Sequence, residues 1–317
     1  VRNHRYAFPE KRSTEVSRLN ARYNSTATIL ECNESDGNQM RVWLMLALLT
    51  ATPAMAGDGR LLGSGGLGSL DGAAGGGMLP WAVIAGHGER RQWDLVASTS
   101  YVDTGEFDLR SHSVAIGLDN RLELSFARLS LGLDALVDSG QFPNQRLDTD
   151  VLAAKLRLGG DFIYGLAPQF SLGLQWRRSR DADLVRFASA DDDQGFDVYL
   201  NASKLWIDGI ASLRTVGTVG VRSTDANQLG LAGFSEQRTL TWEGSLAVFV
   251  HPNWLLGAEY RSKPDRLVFA REDDWSNVFV AWLPSRHWHF ALAYADLGSI
   301  GGFDHQRGFY FSVQGSP

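Results

Sequence analysis

The alternation of apolar and polar side chains is the feature that most constrains this chain. In the segment 169–178, apolar residues alternate with polar or small ones: Phe170, Leu172, Leu174 and Trp176 against Ser171, Gly173, Gln175 and Arg177. The segments 151–161 and 287–294 repeat the pattern. A period of two is typical of a β-strand, whose successive side chains point to opposite faces. After residue 57 no segment sustains a helical period, so the sequence predicts an all-β fold.

The alternating segments predict about fourteen antiparallel strands. They lie at roughly 60–70, 79–88, 93–103, 108–118, 121–131, 150–161, 168–178, 196–206, 210–222, 238–250, 254–263, 274–283, 287–297 and 307–315. Most have about the length that a tilted transmembrane strand needs. The first is rich in glycine, so twelve strands is the alternative if the first hairpin lies outside the wall.

The connections between these segments alternate in length. Every second one is short: Gly88–Gln92, 119–120, Tyr164–Ala167, 207–208, His251–Asn253 and Pro284–Arg286. Those between are mostly longer, and they include Gly132–Thr149, Ser179–Gly195 and Ser223–Gln237. Short periplasmic turns and longer outer loops are typical of a transmembrane β-barrel of the outer membrane. A soluble barrel or sandwich has no reason for this rhythm, although alternation alone leaves it open.

Charged residues on the polar faces indicate which face lies outside. Eleven candidates for the lining of a lumen are Glu123, Lys155, Arg157, Asp161, Arg177, Arg214, Arg222, Glu243, Glu259, Arg261 and Lys263. A charge at the bilayer midplane on the lipid side costs about 2–4 kcal/mol. The apolar faces carry almost no charge over the same spans, so we expect them to contact lipid.

The tryptophans cluster near the ends of the expected strands. Nine of them are predicted to form two aromatic girdles at the membrane interfaces: Trp81, Trp93, Trp176, Trp206, Trp242, Trp254, Trp275, Trp282 and Trp288. Amphipathic rings favour the level of the lipid headgroups. A general preference of tryptophan for strands would not explain their position at strand ends.

A pattern typical of a secretory signal lies well inside the sequence. Arg41, an apolar run and the small residues Ala54 and Ala56 follow the order of a cleavable signal peptide over 40–56. A buried core helix is the alternative. Residues 1–39 are polar and aperiodic, and we interpret them as an upstream extension, either not translated or disordered. The sequence thus predicts one exported barrel domain at 57–317.

Composition excludes several classes of function. The formal net charge of −6 does not favour a nucleic-acid partner, and the single cysteine, Cys32, precedes the predicted mature chain. The motif GSGGLG at 63–68 fits a dinucleotide-binding fingerprint, but no helix is expected after it, so no cofactor is predicted. We expect a flexible strand and loop there. The alternative is that 63–77 folds into the lumen as a constriction or partial plug, formed by Gly65, Gly66, Gly75, Gly76 and Gly77.

Histidines offer weak candidates for chemistry. His287 and His289 share one strand face but lack an evident third ligand, so no metal is predicted. His112 could approach Glu123 or Ser125 across a hairpin, yet the chain has no G-x-S-x-G elbow. We therefore predict no enzyme, and a hydrolase is the least favoured alternative.

Four longer segments of the sequence resemble those of a known protein family. They are LDGAAGGGMLPWAVIAG (70–86), TSYVDTGEFDLRSHSVAIGLDNRLELSFAR (99–128), GAEYRSKPDRLVFAREDDW (257–275) and LAYADLGSI (292–300). Together they resemble the proteobacterial domain-of-unknown-function family 3034. The resemblance implies an exported, all-β protein of the outer-membrane type, and it covers the predicted mature chain without residues 1–39. It implies no activity and no site residues.

These observations predict a porin-like barrel in the outer membrane of a Gram-negative bacterium. The favoured function is passive transport of small solutes of unknown identity. The alternative is a non-conducting structural or ligand-binding barrel that presents its outer loops. The expected partners are outer-membrane lipid, lipopolysaccharide and the barrel assembly machinery. That machinery reads an aromatic residue at the end of the last strand. Here Phe309, Phe311 and Val313 alternate as expected, but Ser316 and Pro317 come last, so either Phe311 serves a few residues early or the terminus differs.

Overall fold

The computed structural model describes residues 62–89, 91–138, 146–181, 190–265 and 272–317. All of them belong to one compact unit, Thr52–Pro317. The predicted extension at 1–39 and signal peptide at 40–56 lie outside the described residues, so both stay predictions. Among the helices that the structure describes, none has the length and apolar character to cross a membrane.

Twelve antiparallel strands close into a barrel. They are β3 (Trp93–Asp103), β4 (Asp108–Leu118), β5 (Leu122–Gly132), β6 (Arg146–Gly159), β7 (Gln169–Ser179), β8 (Gln194–Trp206), β9 (Thr215–Ala226), β10 (Phe234–His251), β11 (Trp254–Arg261), β12 (Trp275–Trp282), β13 (Trp288–Asp296) and β14 (Arg307–Gly315). Each strand pairs with the next along the chain, and β14 pairs with β3. Closure leaves no strand edge unpaired in the wall.

Two short strands before the wall form a separate sheet. They are β1 (Leu67–Gly68) and β2 (Ala74–Gly75), and every residue of both is buried. The prediction of fourteen wall strands is therefore wrong, and the twelve-stranded alternative is confirmed. The expected strands at 60–70 and 79–88 fail because a wall strand exposes every second side chain to lipid. Here the run from Ser64 to His87 is buried throughout.

The wall has its apolar face outside. Leu172 and Leu174 are 42% and 47% exposed, whereas Lys155 and Glu243 are 1% and 4% exposed. The alternation that the sequence shows in 169–178 thus has leucine facing outward and polar groups facing inward. An apolar exterior around a polar interior is the arrangement of an outer-membrane barrel, since lipid solvates the outer face and every backbone group is paired.

The two rims of the barrel differ in the length of their connections. One rim, here the short-turn end, carries the connections 119–121, 160–168, 207–214, 252–253 and 283–287. The opposite rim, the long-loop end, carries 104–107, 133–145, 180–193, 227–233, 262–274 and 297–306, with a short helix, α1 (Asp134–Asp138). The predicted alternation fails at 104–107, a tight turn on the long-loop rim, and at 227–233, which is shorter than 160–168 and 207–214 on the short-turn rim.

Five tryptophans form an exposed ring at the short-turn end. Each is the first or last residue of its strand: Trp93, Trp206, Trp254, Trp282 and Trp288. The rings of Trp254 and Trp282 stack with their centroids 5.8 Å apart. Trp176 and Trp242 also lie on the outer face. The girdle prediction is wrong for Trp81 and Trp275, whose indoles are buried inside the barrel.

Candidate functional site

Residues 62–89 fill the barrel lumen, and we call this segment the plug. It starts at the short-turn end, where a Cβ added to Gly63 would meet Phe249 and Leu283 within 3.3 Å. It returns to the same end, where the amide of His87 donates to Asp94 at 2.6 Å. Between these points it reaches toward the long-loop end, where the hydroxyl of Ser111 donates to a plug carbonyl at 2.6 Å. The plug therefore enters and leaves the lumen through one mouth.

One side of the lumen is lined by small residues. This small-residue wall consists of Ser98, Ser100, Ser111, Ala115, Ala127, Ala291, Ala293 and Ser312, on β3–β5, β13 and β14. The plug backbone lies directly on it: a Cβ added to Gly68 would be 2.8 Å from that of Ser98. A Cβ at Gly72 would be 3.0 Å from that of Ala127. Glycine and small partners allow this close approach of two backbones.

The opposite side carries alternating charges on five consecutive strands. This charge ladder runs from β7 to β11 and consists of Arg177, Asp197, Arg222, Glu243 and Arg261, all buried. Asp197 lies 3.2 Å from Nε of Arg177 and 3.1 Å from Nη1 of Arg222. Glu243 lies 2.5 Å from Nε of Arg222 and 3.3 Å from Nε of Arg261. Each carboxylate is thus shared by two guanidinium groups.

Asp71 of the plug lies against this ladder. Its Oδ2 is 2.9 Å from Arg177, 3.7 Å from Arg261 and 4.0 Å from Arg222, and its Oδ1 accepts the Ser69 hydroxyl at 2.7 Å. Burial by itself raises the pKa of Asp71, but the three guanidinium groups outweigh it and hold that pKa well below its usual range. Asp71 is therefore an ionised carboxylate held by arginines.

A second ion pair holds the plug nearer the short-turn end. Lys155 and Glu123 pair at 3.0 Å across β5 and β6, and both are buried. Glu123 accepts the plug amides of Ala74 at 3.1 Å and Ala85 at 2.8 Å. Lys155 donates to the carbonyl of Ala74 at 2.9 Å. One wall pair thus binds two separate stretches of the plug and joins them to each other.

Further wall side chains satisfy the plug backbone. Glu259 accepts the amide of Met78 at 2.8 Å and is itself fixed by Asn277 at 3.0 Å. Asn201 donates to the carbonyl of Pro80 at 2.6 Å.

Ala82 is held at both of its backbone groups. Its amide donates to Ser203 at 2.8 Å, and its carbonyl accepts the side-chain amide of Gln169. Buried backbone groups need such partners, so the plug is seated in one specific register.

The long-loop end is closed by apolar residues. The connection 227–233 folds inward, and Arg177 donates to the carbonyl of Leu229 at 2.6 Å. Leu229 has φ +60°, a left-handed conformation that is strained for a bulky residue. The buried apolar side chains of this seal are Phe107, Leu131, Leu133, Leu136, Leu231, Leu297 and Ile300. The lumen is therefore covered above the plug as well as filled by it.

The structure places the predicted lining residues in three groups. Seven are buried and face the interior: Glu123, Lys155, Arg177, Arg222, Glu243, Glu259 and Arg261. Arg157, Asp161 and Arg214 lie half-buried at the short-turn end, and Lys263 lies beyond β11 over the ring of Trp275. The five predicted constriction glycines, Gly65, Gly66, Gly75, Gly76 and Gly77, all lie in the plug. The sequence analysis did not single out Asp71. The feature that could have identified it is that it is a lone acidic residue in a glycine-rich stretch.

The histidine candidates do not assemble into sites. His112 is exposed on the outer face and contacts Thr99 at 2.9 Å, whereas Glu123 and Ser125 face the interior. His287 is exposed and His289 is buried against the ring of His87. Within the described ranges, no group of three or more His, Cys, Asp or Glu side chains could hold a metal ion.

Comparison with known proteins gives distant matches and one family. No curated protein matches the sequence. Among solved structures, the KdgM porin has a TM-score of 0.45 and 9% identity, covering 71% of this chain and 99% of that one. The NanC porin has 0.44 and 11%, covering 69% and 97%. Omp33 of Acinetobacter baumannii has 0.42 and 8%, covering 72% and 99%.

These scores are low, so the fold assignment depends on the strand pairing and the burial described above. The family model gives a stronger result. A family described as "Protein of unknown function (DUF3034)" matches residues 64–314, which span the plug and the barrel wall. This chain therefore belongs to the DUF3034 family.

Proposed function

We propose that this outer-membrane barrel is a passive channel for small solutes, closed by the plug in the state described here. The observation that carries the proposal is the way the plug is held. It is one continuous segment with both ends at one mouth, bound by hydrogen bonds and ion pairs. The only cysteine of the chain is Cys32, so no disulfide joins plug to wall. The plug can leave as a unit while the closed wall keeps all its strand pairs.

The width of the wall supports this proposal. A barrel of about eight strands is filled by its own side chains, whereas wider barrels leave room for water or for a plug. Here twelve strands enclose a chain segment in addition to the lining side chains. Withdrawal of the plug would leave a lumen lined by serine on one side and by the charge ladder on the other. Such a lining is typical of an aqueous pore.

One observation favours a second function, a non-conducting barrel that presents its long loops. The apolar seal at the long-loop end buries several leucines and Phe107, and conduction requires it to open as well. A second observation at this seal favours the channel instead. The left-handed Leu229 makes the inward connection 227–233 a strained element, and such strain costs on the order of 1–3 kcal/mol. Moving the seal relieves this strain, so it costs less free energy than the buried apolar area alone would indicate.

Conductance of the refolded protein in planar bilayers tests the proposal. In the double variant Gly68→Cys/Ser98→Cys, a Cβ added at Gly68 would lie 2.8 Å from that of Ser98. This is closer than the roughly 3.5–4.5 Å of a disulfide, so a small separation of the two backbones permits the bond. We expect discrete current steps for the wild type and the reduced variant, and none for the oxidised variant. Conductance that is the same in both redox states would show that the plug does not control the pore.

A variant that lacks residues 64–86 separates the two functions. Its refolding is checked by the heat-dependent mobility shift of folded barrels on gels. We expect larger and longer-lived steps than in the wild type, because the lumen is no longer filled. A folded variant without any steps, together with a silent wild type, would favour the non-conducting barrel.

A further inference from the structure

We infer that the charge ladder is a binding site for the carboxylate of a solute, and that Asp71 occupies this site in the closed state. The inference rests on the proposed channel, whose solute it describes. The solute class is a small organic acid anion that also carries hydroxyl groups.

The charges of the ladder do not balance without the plug. Arg177, Arg222 and Arg261 contact only two carboxylates, Asp197 and Glu243, so these contacts leave one positive charge in surplus. Glu259, which faces the lumen from β11, is held by Asn277 and the amide of Met78 instead. Asp71 supplies the missing negative charge, and its Oδ2 lies within 4.0 Å of all three guanidinium groups. When the plug withdraws, water enters the lumen, and this surplus positive charge attracts an anion to the position that Asp71 has left.

The donors that hold Asp71 are the ones a solute would use. The Nε atoms of all three arginines face ladder carboxylates. Terminal nitrogens of Arg177 and Arg261 remain directed at the position of Asp71. A guanidinium group fits a carboxylate because its N–H groups form a planar fork. The plug carboxylate thus marks where the carboxylate of a solute would bind.

Unpartnered polar atoms beside the ladder indicate the hydroxyl groups. Within the described ranges, Nε2 of Gln175, the hydroxyl of Tyr199 and Oδ1 of Asn201 have no hydrogen-bond partner among the protein atoms, and all three side chains are buried. Gln175 pairs in register with Asp197, and Tyr199 with Arg222. Buried polar atoms of native proteins are nearly always satisfied. A donor, an acceptor and a hydroxyl together suit a ligand that both donates and accepts.

The solute and the plug exclude each other at this site. An anion that binds only the plug-free ladder shifts the population toward the open state by its differential affinity. The channel would therefore open in response to its own solute, and a neutral sugar alcohol would lack this effect.

Chemical rescue tests the carboxylate site in the full chain. Asp71→Ala removes the carboxylate, so hydrogen exchange of the plug amides should rise about tenfold. Acetate at about 50 mM should reverse most of this rise, because its carboxylate fills the vacated position. Acetamide, which has the same size and shape but is neutral, should have no effect. The measurement is exchange followed by mass spectrometry of plug peptides, and failure of acetate to restore protection would overturn the inference.

Matched variants show whether the arginines are responsible. Asp94→Ala also loosens the plug, by removing the acceptor of the His87 amide at 2.6 Å, but it lies at the short-turn end. Acetate should not restore protection there, and equal rescue of both variants would indicate a general salt effect. Rescue that persists in Arg177→Gln/Asp71→Ala, or rescue by sulfate as strong as by acetate, would also contradict a carboxylate site.

Competition in the wild type provides a test that needs no variant. Gluconate, a carboxylate with hydroxyl groups, should speed exchange of the plug amides severalfold relative to sorbitol at equal concentration. The wall amides of β7–β11 should not change. Equal exchange in gluconate and sorbitol would remove the solute assignment.

The outcomes for site and channel can be told apart. Faster plug exchange in gluconate without any current steps would remove the channel and keep the carboxylate site. Discrete steps without any effect of gluconate or acetate would keep the channel and remove the site.

Discussion

The two walls of the lumen hold the plug by different means. On β3–β5, β13 and β14 the wall is alanine and serine, and the plug backbone lies within van der Waals distance of it. On β7–β11 the wall is charged, and long side chains reach the plug through ion pairs and hydrogen bonds. The first wall recognises the shape of the plug, and the second recognises its charge and its backbone polar groups.

This difference indicates that the two walls have different roles in holding the plug. Close packing against small residues fixes the position of the plug and tolerates little change in volume. The charged wall specifies a carboxylate at one position and leaves an unbalanced charge when that carboxylate departs. A plug that must bind the lumen and also leave it needs the ion pairs of the charged wall. An anion can replace the carboxylate of Asp71 there, whereas no small molecule can easily replace a close-packed backbone.

The largest effect is expected at the buried pair that holds two stretches of the plug. Lys155→Met leaves Glu123 charged and buried, which should destabilise the protein by about 3–5 kcal/mol in urea unfolding from detergent. The double variant Glu123→Gln/Lys155→Met should recover much of this loss, since no unpaired charge remains at this position. A single variant as stable as the wild type would show that this buried pair contributes little.

Overpacking of the small-residue wall should cost less. Ala127→Leu inserts a larger side chain against Gly72, where a Cβ added to the glycine would already lie 3.0 Å from that of Ala127. The expected loss is about 1–3 kcal/mol, with faster exchange of the plug. Ala154→Leu places the same change on the outer face, opposite Leu124, and should be nearly neutral. Equal effects of the two substitutions would contradict recognition by shape.

The turn where the plug leaves the lumen should show a smaller loss. Gly86 has φ +78°, and a Cβ there would lie 2.5 Å from Asp94. Gly86→Ala should therefore cost about 1–2 kcal/mol through a left-handed alanine. Gly88→Ala, where the nearest atom lies 3.3 Å away, is the control. Similar unfolding midpoints for both variants would argue against a tight exit turn.

The smallest effect is expected outside both walls. Trp254→Leu removes a ring stacked on Trp282 at 5.8 Å, so stability should fall by about 0.5–1.5 kcal/mol. Exchange of the plug amides should stay at the wild-type rate, because neither wall is touched. A change in plug exchange would show that the girdle and the lumen are coupled.

Much of the structure of the barrel wall could be predicted from the sequence. The alternation around Leu172 indicates an outward apolar face, and the buried charges at Lys155 and Glu243 agree with it because lipid excludes ions. The strand count was wrong because a glycine-rich stretch carries no alternation to distinguish wall from lumen. Trp81 and Trp275 were misplaced because tryptophan fits a buried core as well as an interface.

The site could be predicted only in part. Arginine and glutamate at strand centres indicate an interior, but their pairing across β7–β11 depends on the stagger of the barrel, which the sequence does not show. Asp71 has no spacing that marks it as a partner of distant arginines. The small-residue wall is equally hidden, since alanine and serine are common on any inward face.

The shared mouth of the two plug ends has a consequence for biogenesis. Sealing the cylinder joins β3 to β14, the first and last wall strands in the chain. A segment that ran through the barrel from one rim to the other would have to be threaded through it, or be enclosed before β3 pairs with β14. A looped segment can slip in afterwards, with no chain terminus crossing the bilayer. The barrel can thus close first and take up the plug afterwards, and the plug can withdraw by the reverse of the same step.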